Sequence, residues 1–146
     1  MPAEACPLPT PPADDEATVV RRLLSGKRIA IVGLSDDPGR ASYHVASYLR
    51  DQGKEIIPVN PNHPTIMGMK SHASLQMIGG PIDVVDVFRR PEYCADVVRD
   101  AIAAGAKGVW LQSGIVSEEA ERLAREAGID FVQDRCMMVE HMQGGA

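Results

Sequence analysis

Cysteine is scarce in this chain of 146 residues, with only Cys6, Cys94 and Cys136, an odd number in three unrelated contexts. That count excludes a disulfide framework and leads us to expect a reduced, cytoplasmic protein. No uninterrupted apolar run reaches membrane-spanning length, so no transmembrane helix is expected. The opening residues MPAEACPLPTPPADDE lack a cationic stretch followed by a hydrophobic one, and no signal peptide is expected there. A basic excess is missing too. Fifteen Lys and Arg face twenty Asp and Glu, a formal net charge of -5, which argues against a nucleic-acid surface while leaving room for a local basic pocket. What is present is ordinary for a soluble globular protein, 45% hydrophobic and 24% charged residues in a length suited to one domain.

Pro2, Pro7, Pro9, Pro11 and Pro12 remove backbone donors and bar a regular helix. We therefore expect residues 1–13 to be a flexible proline-rich tail and residues 14–146 to form a single domain. Val19, Val20, Leu23 and Leu24 fall on one side of a short helix over 15–25, stopped at Gly26. Residues 28–32 then read as a strand that is apolar after Arg28, as when helices cover both faces of a parallel sheet. The same reading gives a helix over 43–52, strands over 55–59 and 83–88, and a helix over 92–104. A strand over 107–111, a helix over 117–127 and a strand over 129–133 follow. Pro91 suits the first position of its helix, where a missing N–H is no loss. Helices end at Gly53, Gly105 and Gly128, each followed within a few residues by a β-rich run. That βα alternation predicts a doubly wound sheet. Residues 60–82 are long for a connection, with room for a short helix over 71–78. They either cover something at the carboxyl edge of the sheet or make a surface excursion.

The turn after the first strand carries the chemistry. Gly33 permits a conformation or close approach forbidden to a side chain. Ser35 offers a hydroxyl, Arg40 a planar fork of donors for phosphate oxygens, and Ser42 a cap for the following helix. Asp36 and Asp37 suit that ligand only if they point outward or brace the turn. The competing reading is a plain capped helix with an exposed arginine. The turn is not a dinucleotide fingerprint, since Ser35 and Pro38 stand where its second and third glycines belong. Asn60 likewise stands where a ribose-binding carboxylate belongs, so NAD is disfavoured. A Walker loop is excluded for want of a Gly-Lys-Ser/Thr ending.

Other reactive side chains stay open. Cys136 and His141 are five residues apart, a spacing that establishes neither a thiol–imidazole pair nor a zinc cluster. Cys136 is an ordinary buried or half-buried thiol, or meets a ligand thiol in a mixed disulfide. His44 is expected at the solvent or the ligand rim, and His63 and His72 in the long loop. Met67, Met69 and Met77 read as apolar cover for that loop, and Met137, Met138 and Met142 as packing for the terminal segment.

The segments IAIVGLSDDPGRASYHVASYLRDQG, IIPVNPN, DVVDVFRRPE, GAKGVWLQSGI and DRCMMVEH keep their order and spacing from about Lys27 to His141. In these the chain resembles the small bacterial and archaeal CoA-binding proteins, relatives of the nucleotide-fold domain of the succinyl-CoA synthetase alpha subunit. The resemblance implies an α/β, Rossmann-like, doubly wound five-stranded parallel sheet in three αβα layers, for which we expect strand order 3-2-1-4-5. It implies that coenzyme A or an acyl-CoA binds across the carboxyl ends of the strands. Gly33, Leu34, Ser35, Arg40 and Ser42 would take the diphosphate, and Pro58, Asn60 and Pro61 the adenine and ribose side. Val87, Phe88, Arg89 and Arg90 would form the next strand end, with an arginine for further phosphate charge. Trp110, Leu111, Gln112, Ser113 and Gly114 would border the pantetheine channel. The synthetase phosphorylates a histidine and needs a second subunit, and the chain shows neither the long extension nor the partner domain. The expected function is thus non-catalytic binding, with no catalytic or metal-ligating residue assigned. Two alternatives are a CoA-responsive regulatory or scaffold protein that binds a protein partner, and an NAD(P)-linked enzyme. A homodimer is compatible with all three, whereas nucleic acid and membrane are not expected as partners.

Overall fold

The computed structural model describes residues 15–144; the expected tail lies outside the described residues. Helix α1 (Glu16–Leu24) is capped by the Asp15 carboxylate, which accepts from the Thr18 amide at 2.8 Å. There follow β1 (Arg28–Val32), α2 (Ala41–Asp51) and β2 (Glu55–Val59). The long connection then holds β3 (Thr65–Ile66) and β4 (Met69–Lys70), and the chain continues through β5 (Val84–Val87) and α3 (Pro91–Ala103). It closes with β6 (Gly108–Leu111), α4 (Glu118–Ala127), β7 (Asp130–Val132) and α5 (Met137–Met142).

Strands β1, β2, β5, β6 and β7 form one five-stranded parallel sheet. Its two faces carry different apolar layers because successive strand side chains alternate. Ala30, Val32, Val85, Val87, Val109 and Leu111 pack under Val97, Val98 and Ala101 of α3 and Ala120 and Ala124 of α4. Ile29, Ile31, Val84 and Trp110 pack under α1, α2 and α5 through Leu23, Leu24, Val45, Leu49 and Met137. The three-layer Rossmann-like architecture is therefore present. Met137 is wholly buried, but Met142 is 64% exposed and does not join the packing expected of it. Among the described residues no helix is long and apolar enough to cross a membrane.

The expected strand order 3-2-1-4-5 is corrected. Counted along the chain, the five sheet strands lie in the order 2-1-3-4-5, because β5 pairs with β1 and not with β2. Pro58 supplies the reason, since a proline in a strand lacks a ladder donor and belongs at an edge. The outer side of β2 is covered instead by the chain itself: the His72 amide donates to the Pro58 carbonyl at 3.0 Å, and the Asn60 amide to the His72 carbonyl at 2.9 Å. This is the other common doubly wound order, and it moves the switch point to the gap between β1 and β5. There α2 leaves toward one face of the sheet and α3 toward the other.

The connection over 60–82 also differs from expectation. In place of a helix over 71–78 there is one 3-10 turn, Leu75–Met77. Ahead of it β3 and β4 form a hairpin whose two central residues, Met67 and Gly68, both have positive φ, 55° and 75°. Positive φ at both positions gives a turn twisted to match its strands. The connection is thus a small built structure pinned along β2.

Candidate ligand-binding edge

At the carboxyl end of β1, Gly33 has φ +86°, and a Cβ there would lie 2.6 Å from the Phe88 carbonyl oxygen. Only glycine lets the β1 and β5 turns come this close. The turn that follows is braced by its own side chains. The Ser35 amide donates to Ser42 Oγ at 3.0 Å, the Asp37 amide to Ser35 Oγ at 3.0 Å, and the Gly39 amide to Asp37 Oδ1 at 2.9 Å. Asp36 Oδ1 accepts from the Met67 amide at 2.9 Å, which ties the turn to the β3–β4 hairpin. Both aspartates are bracing groups.

Ser42 is not the cap expected of it. Arg40 occupies the cap position of α2, no side chain caps that helix, and Ser42 is buried in its first turn. Helix α3 likewise starts from Arg90 without a side-chain cap, with Pro91 at its first position. By contrast α1 and α4 are capped by Asp15 and Ser117. The two helices that begin beside the switch point therefore present their positive ends without a side-chain acceptor. Arg40, Arg89 and Arg90 stand there exposed, and none forms an ion pair among the described residues. The Arg89 guanidinium lies 4.8 Å from the centroid of the Tyr93 ring, a cation–π contact that sets its direction.

A cleft of about 490 Å³ opens at the same point. Of the residues expected at the site, Gly33, Asn60, Pro61, Phe88 and Arg89 line it. Asn60 is locked in place, its Oδ1 accepting from the Asn62 amide at 2.9 Å and its Nδ2 reaching the Leu34 carbonyl at 3.4 Å. The rest are placed elsewhere. Leu34, Pro58, Trp110 and Leu111 are buried, the Trp110 indole donating to the Arg135 carbonyl at 2.7 Å. Ser35 is half-buried, while Arg40, Arg90, Ser113 and Gly114 are exposed outside the cleft. Residues not singled out from the sequence complete the wall, above all Tyr93, Asp96, Val97 and Asp100 of α3. Their spacing is a helical stripe that could have been read once β5 was placed beside β1. Asp96 accepts from Arg99 at 2.8 Å and Asp100 from Gln76 Nε2 at 3.1 Å.

Two further groups have unusual surroundings. Asp86 lies wholly buried in β5, and burial pushes its carboxyl up to about 7 against the pull of the Gln112 hydrogen bond. Cys94 is buried, and its thiol is pushed up by burial to about 11, too high for a reactive thiolate. Cys136 is half-buried at the start of α5, and the His141 ring shares a 2.8 Å hydrogen bond with the Tyr48 hydroxyl. Among the described residues no group of three or more His, Cys, Asp or Glu side chains could hold a metal ion.

A doubly wound parallel sheet with a cleft at its switch point, two helix starts without side-chain caps and three exposed arginines is an arrangement able to receive an anionic ligand. The chain belongs to the CoA binding domain family, whose model matches residues 27–142. It is 43% identical over 126 residues to the Bacillus subtilis protein YneT, covering 86% of this chain and 93% of that one. A solved structure of a hypothetical protein from Pyrococcus horikoshii superposes with a TM-score of 0.84 at 37% identity, covering 90% of this chain and 92% of that chain. The alpha subunit of acetate–CoA ligase [ADP-forming] II from Pyrococcus furiosus is 28% identical over 99 residues, covering 67% of this chain but only 22% of the subunit. The chain thus corresponds to a small part of that larger protein.

Proposed function

We propose that the protein binds coenzyme A or an acyl-CoA at the gap between β1 and β5, without itself catalysing a reaction. The observation that supports this reading most is that α2 and α3 both start, without a side-chain cap, just after β1 and β5, where Arg40, Arg89 and Arg90 are exposed and form no ion pair among the described residues, on a chain whose net charge is -5. A polyphosphate needs such a local concentration of donors, and the protein's overall charge does not provide it. The close approach at Gly33 fits as well, because it leaves a backbone surface without a side chain between the two helix starts. Asp96 and Asp100 on the far wall offer acceptors to amino and hydroxyl groups, while Arg40, Arg89 and Arg90 take negative charge. The absence of a ribose-binding carboxylate after β2, where Asn60 stands, favours CoA over NAD. In this role the ligand is a small molecule in a cytoplasmic setting, with neither nucleic acid nor membrane as partner. A larger enzyme or a second copy of the chain would supply any chemistry.

Mass spectrometry of the small molecules released on denaturing the purified protein is expected to find CoA or a thioester of it. Arg40→Ala then tests the phosphate contact. It removes up to two charge-assisted hydrogen bonds of about 1.5–3 kcal/mol each, less at an exposed site where salt screens them. Calorimetry should find CoA affinity reduced roughly tenfold or more at low salt, with the unfolding midpoint unchanged. An unaltered dissociation constant would remove Arg40 from the site.

A further inference from the structure

The cleft is uneven in charge. Its floor is apolar, formed by the buried side chains of Val32, Val59, Leu75 and Val97. Along α3 its wall is acidic, with Asp96 and Asp100 one helical turn apart. Helix α3 runs back from the carboxyl edge of the sheet, which puts Asp100 roughly 10 Å further from that edge than Tyr93 at about 1.5 Å per residue. Arg99 offsets Asp96 at 2.8 Å, whereas Asp100 accepts from the neutral Gln76 amide at 3.1 Å. Among the described residues Arg89 is the one basic side chain that lines the cleft, and it stands at the carboxyl edge beside Tyr93.

Two contacts direct Arg89. Its Cδ passes over Gly33, where a Cβ would come within 3.2 Å of it, and its guanidinium lies 4.8 Å from the Tyr93 ring centroid. The side chain is exposed and, among the described residues, donates no hydrogen bond and joins no ion pair. An arginine so directed has given up part of its rotamer freedom before a ligand arrives, while its planar fork stays open to a phosphate.

We infer that Arg89 is a specificity-determining residue of the site, receiving the 3′-phosphate of coenzyme A, and that Tyr93 is its positioning residue. This assignment rests on the CoA reading of the cleft and fixes how the ligand lies there. An apolar floor flanked by acceptors suits a flat base that bears an amino group, whereas a phosphate beside Asp96 and Asp100 would meet like charge. The base therefore enters along α3, and the ribose stays at the carboxyl edge. From the ribose the diphosphate chain continues out of the cleft, where Arg40 and Arg90 stand, and the 3′-phosphate remains at the mouth opposite Arg89. A phosphate monoester carries about -1.5 to -2 charge near neutral pH, and Arg89 is the cleft's own cation to meet it. Glu92, in the first turn of α3, does not line the cleft and leaves that charge unopposed.

The test is calorimetric titration of CoA and of dephospho-CoA, which lacks the 3′-phosphate, into the protein and into Arg89→Gln, Tyr93→Phe and Tyr93→Leu at low salt. The parent protein should bind CoA at least roughly tenfold more tightly than dephospho-CoA. In Arg89→Gln that preference should vanish through loss of CoA affinity alone, with dephospho-CoA bound as in the parent. Tyr93→Phe keeps an aromatic face for the guanidinium and should keep the preference, whereas Tyr93→Leu should shrink it roughly twofold to fivefold. Both side chains are exposed, so the variants keep the fold, which far-UV circular dichroism checks. Equal loss of both ligands in Arg89→Gln would place Arg89 on the diphosphate and overturn the proposal, as would a preference that survives the substitution. Identical preferences in the two Tyr93 variants would overturn the positioning role. Equal binding of the two ligands by the parent would overturn the proposal while leaving the CoA reading intact. If neither ligand binds the parent, the CoA reading fails and the proposal with it.

Discussion

Gly33→Ala should damage both the stability of the protein and its ligand site, whereas Gly53→Ala should damage neither the site nor more than a little of the stability. Both glycines have φ +86°, so each substitution forces an L side chain into the left-handed region at about 1–2 kcal/mol. They differ in what the new methyl meets. At Gly53 nothing lies within 4 Å, while at Gly33 the Phe88 carbonyl oxygen is 2.6 Å away and Arg89 Cδ 3.2 Å. Both of these neighbours belong to the strand end that forms the opposite lip of the cleft. Relieving the overlap must push the β1 and β5 turns apart, adding about 1–3 kcal/mol of overpacking and displacing Arg89. Denaturant unfolding should place Gly33→Ala below Gly53→Ala by that margin. Calorimetry should find CoA affinity lowered at least roughly tenfold in Gly33→Ala and unchanged in Gly53→Ala. Equal behaviour of the two variants would mean that the close approach at Gly33 has no bearing on the site.

The second large effect is a dependence of stability on pH that runs against the usual direction for an aspartate. Burial raises the Asp86 carboxyl from 3.8 to about 7, so its favourable contribution is fully present below 3.8 and is lost as pH rises through about 7. A displacement of that size corresponds to about 4 kcal/mol at most. Asp83 works in the opposite sense, because the Arg28 backbone amide holds its carboxyl below the ordinary value and its contribution is lost on acidification. The comparison with Asp86→Asn separates the two, since Asp83 is unchanged in both proteins. Relative to the parent, Asp86→Asn should gain on the order of 3 kcal/mol between about pH 4 and about pH 8, read from urea unfolding at each pH. A constant difference across that range would show that Asp86 ionises as freely in the folded chain as in the unfolded one.

Much of the architecture was legible because the periodic signals were local. The βα alternation, the glycine stops and Pro91 at the start of its helix all correspond to elements within a residue or two. The strand order was missed although its signal was present. Pro58 sits within an otherwise apolar strand, and a missing ladder donor marks that strand as an edge. Weighing it would have placed β5 beside β1 and the switch point between Gly33 and Phe88. The wall of the cleft on α3 was not legible for the same reason, since Tyr93, Asp96, Val97 and Asp100 face a common cleft only once β5 adjoins β1. Met67, expected as apolar cover for the long loop, sits instead in the hairpin turn at φ 55°, a conformation that no local pattern of methionine signals. Ser42 followed a rule for caps, but its hydroxyl is drawn inward to the Ser35 amide, leaving the helix start without a side-chain acceptor. Within the run DVVDVF, no local pattern sets Asp86 apart from the strand around it. Its meaning comes from Gln112, 26 residues away in sequence, which no local pattern connects to it.

The most direct measurement is a calorimetric titration of CoA and of NAD into the same preparation of the protein. The account predicts that CoA binds more tightly, with an affinity that falls as salt is added because phosphate contacts carry much of it. NAD binding as tightly as CoA, or more tightly, would contradict it.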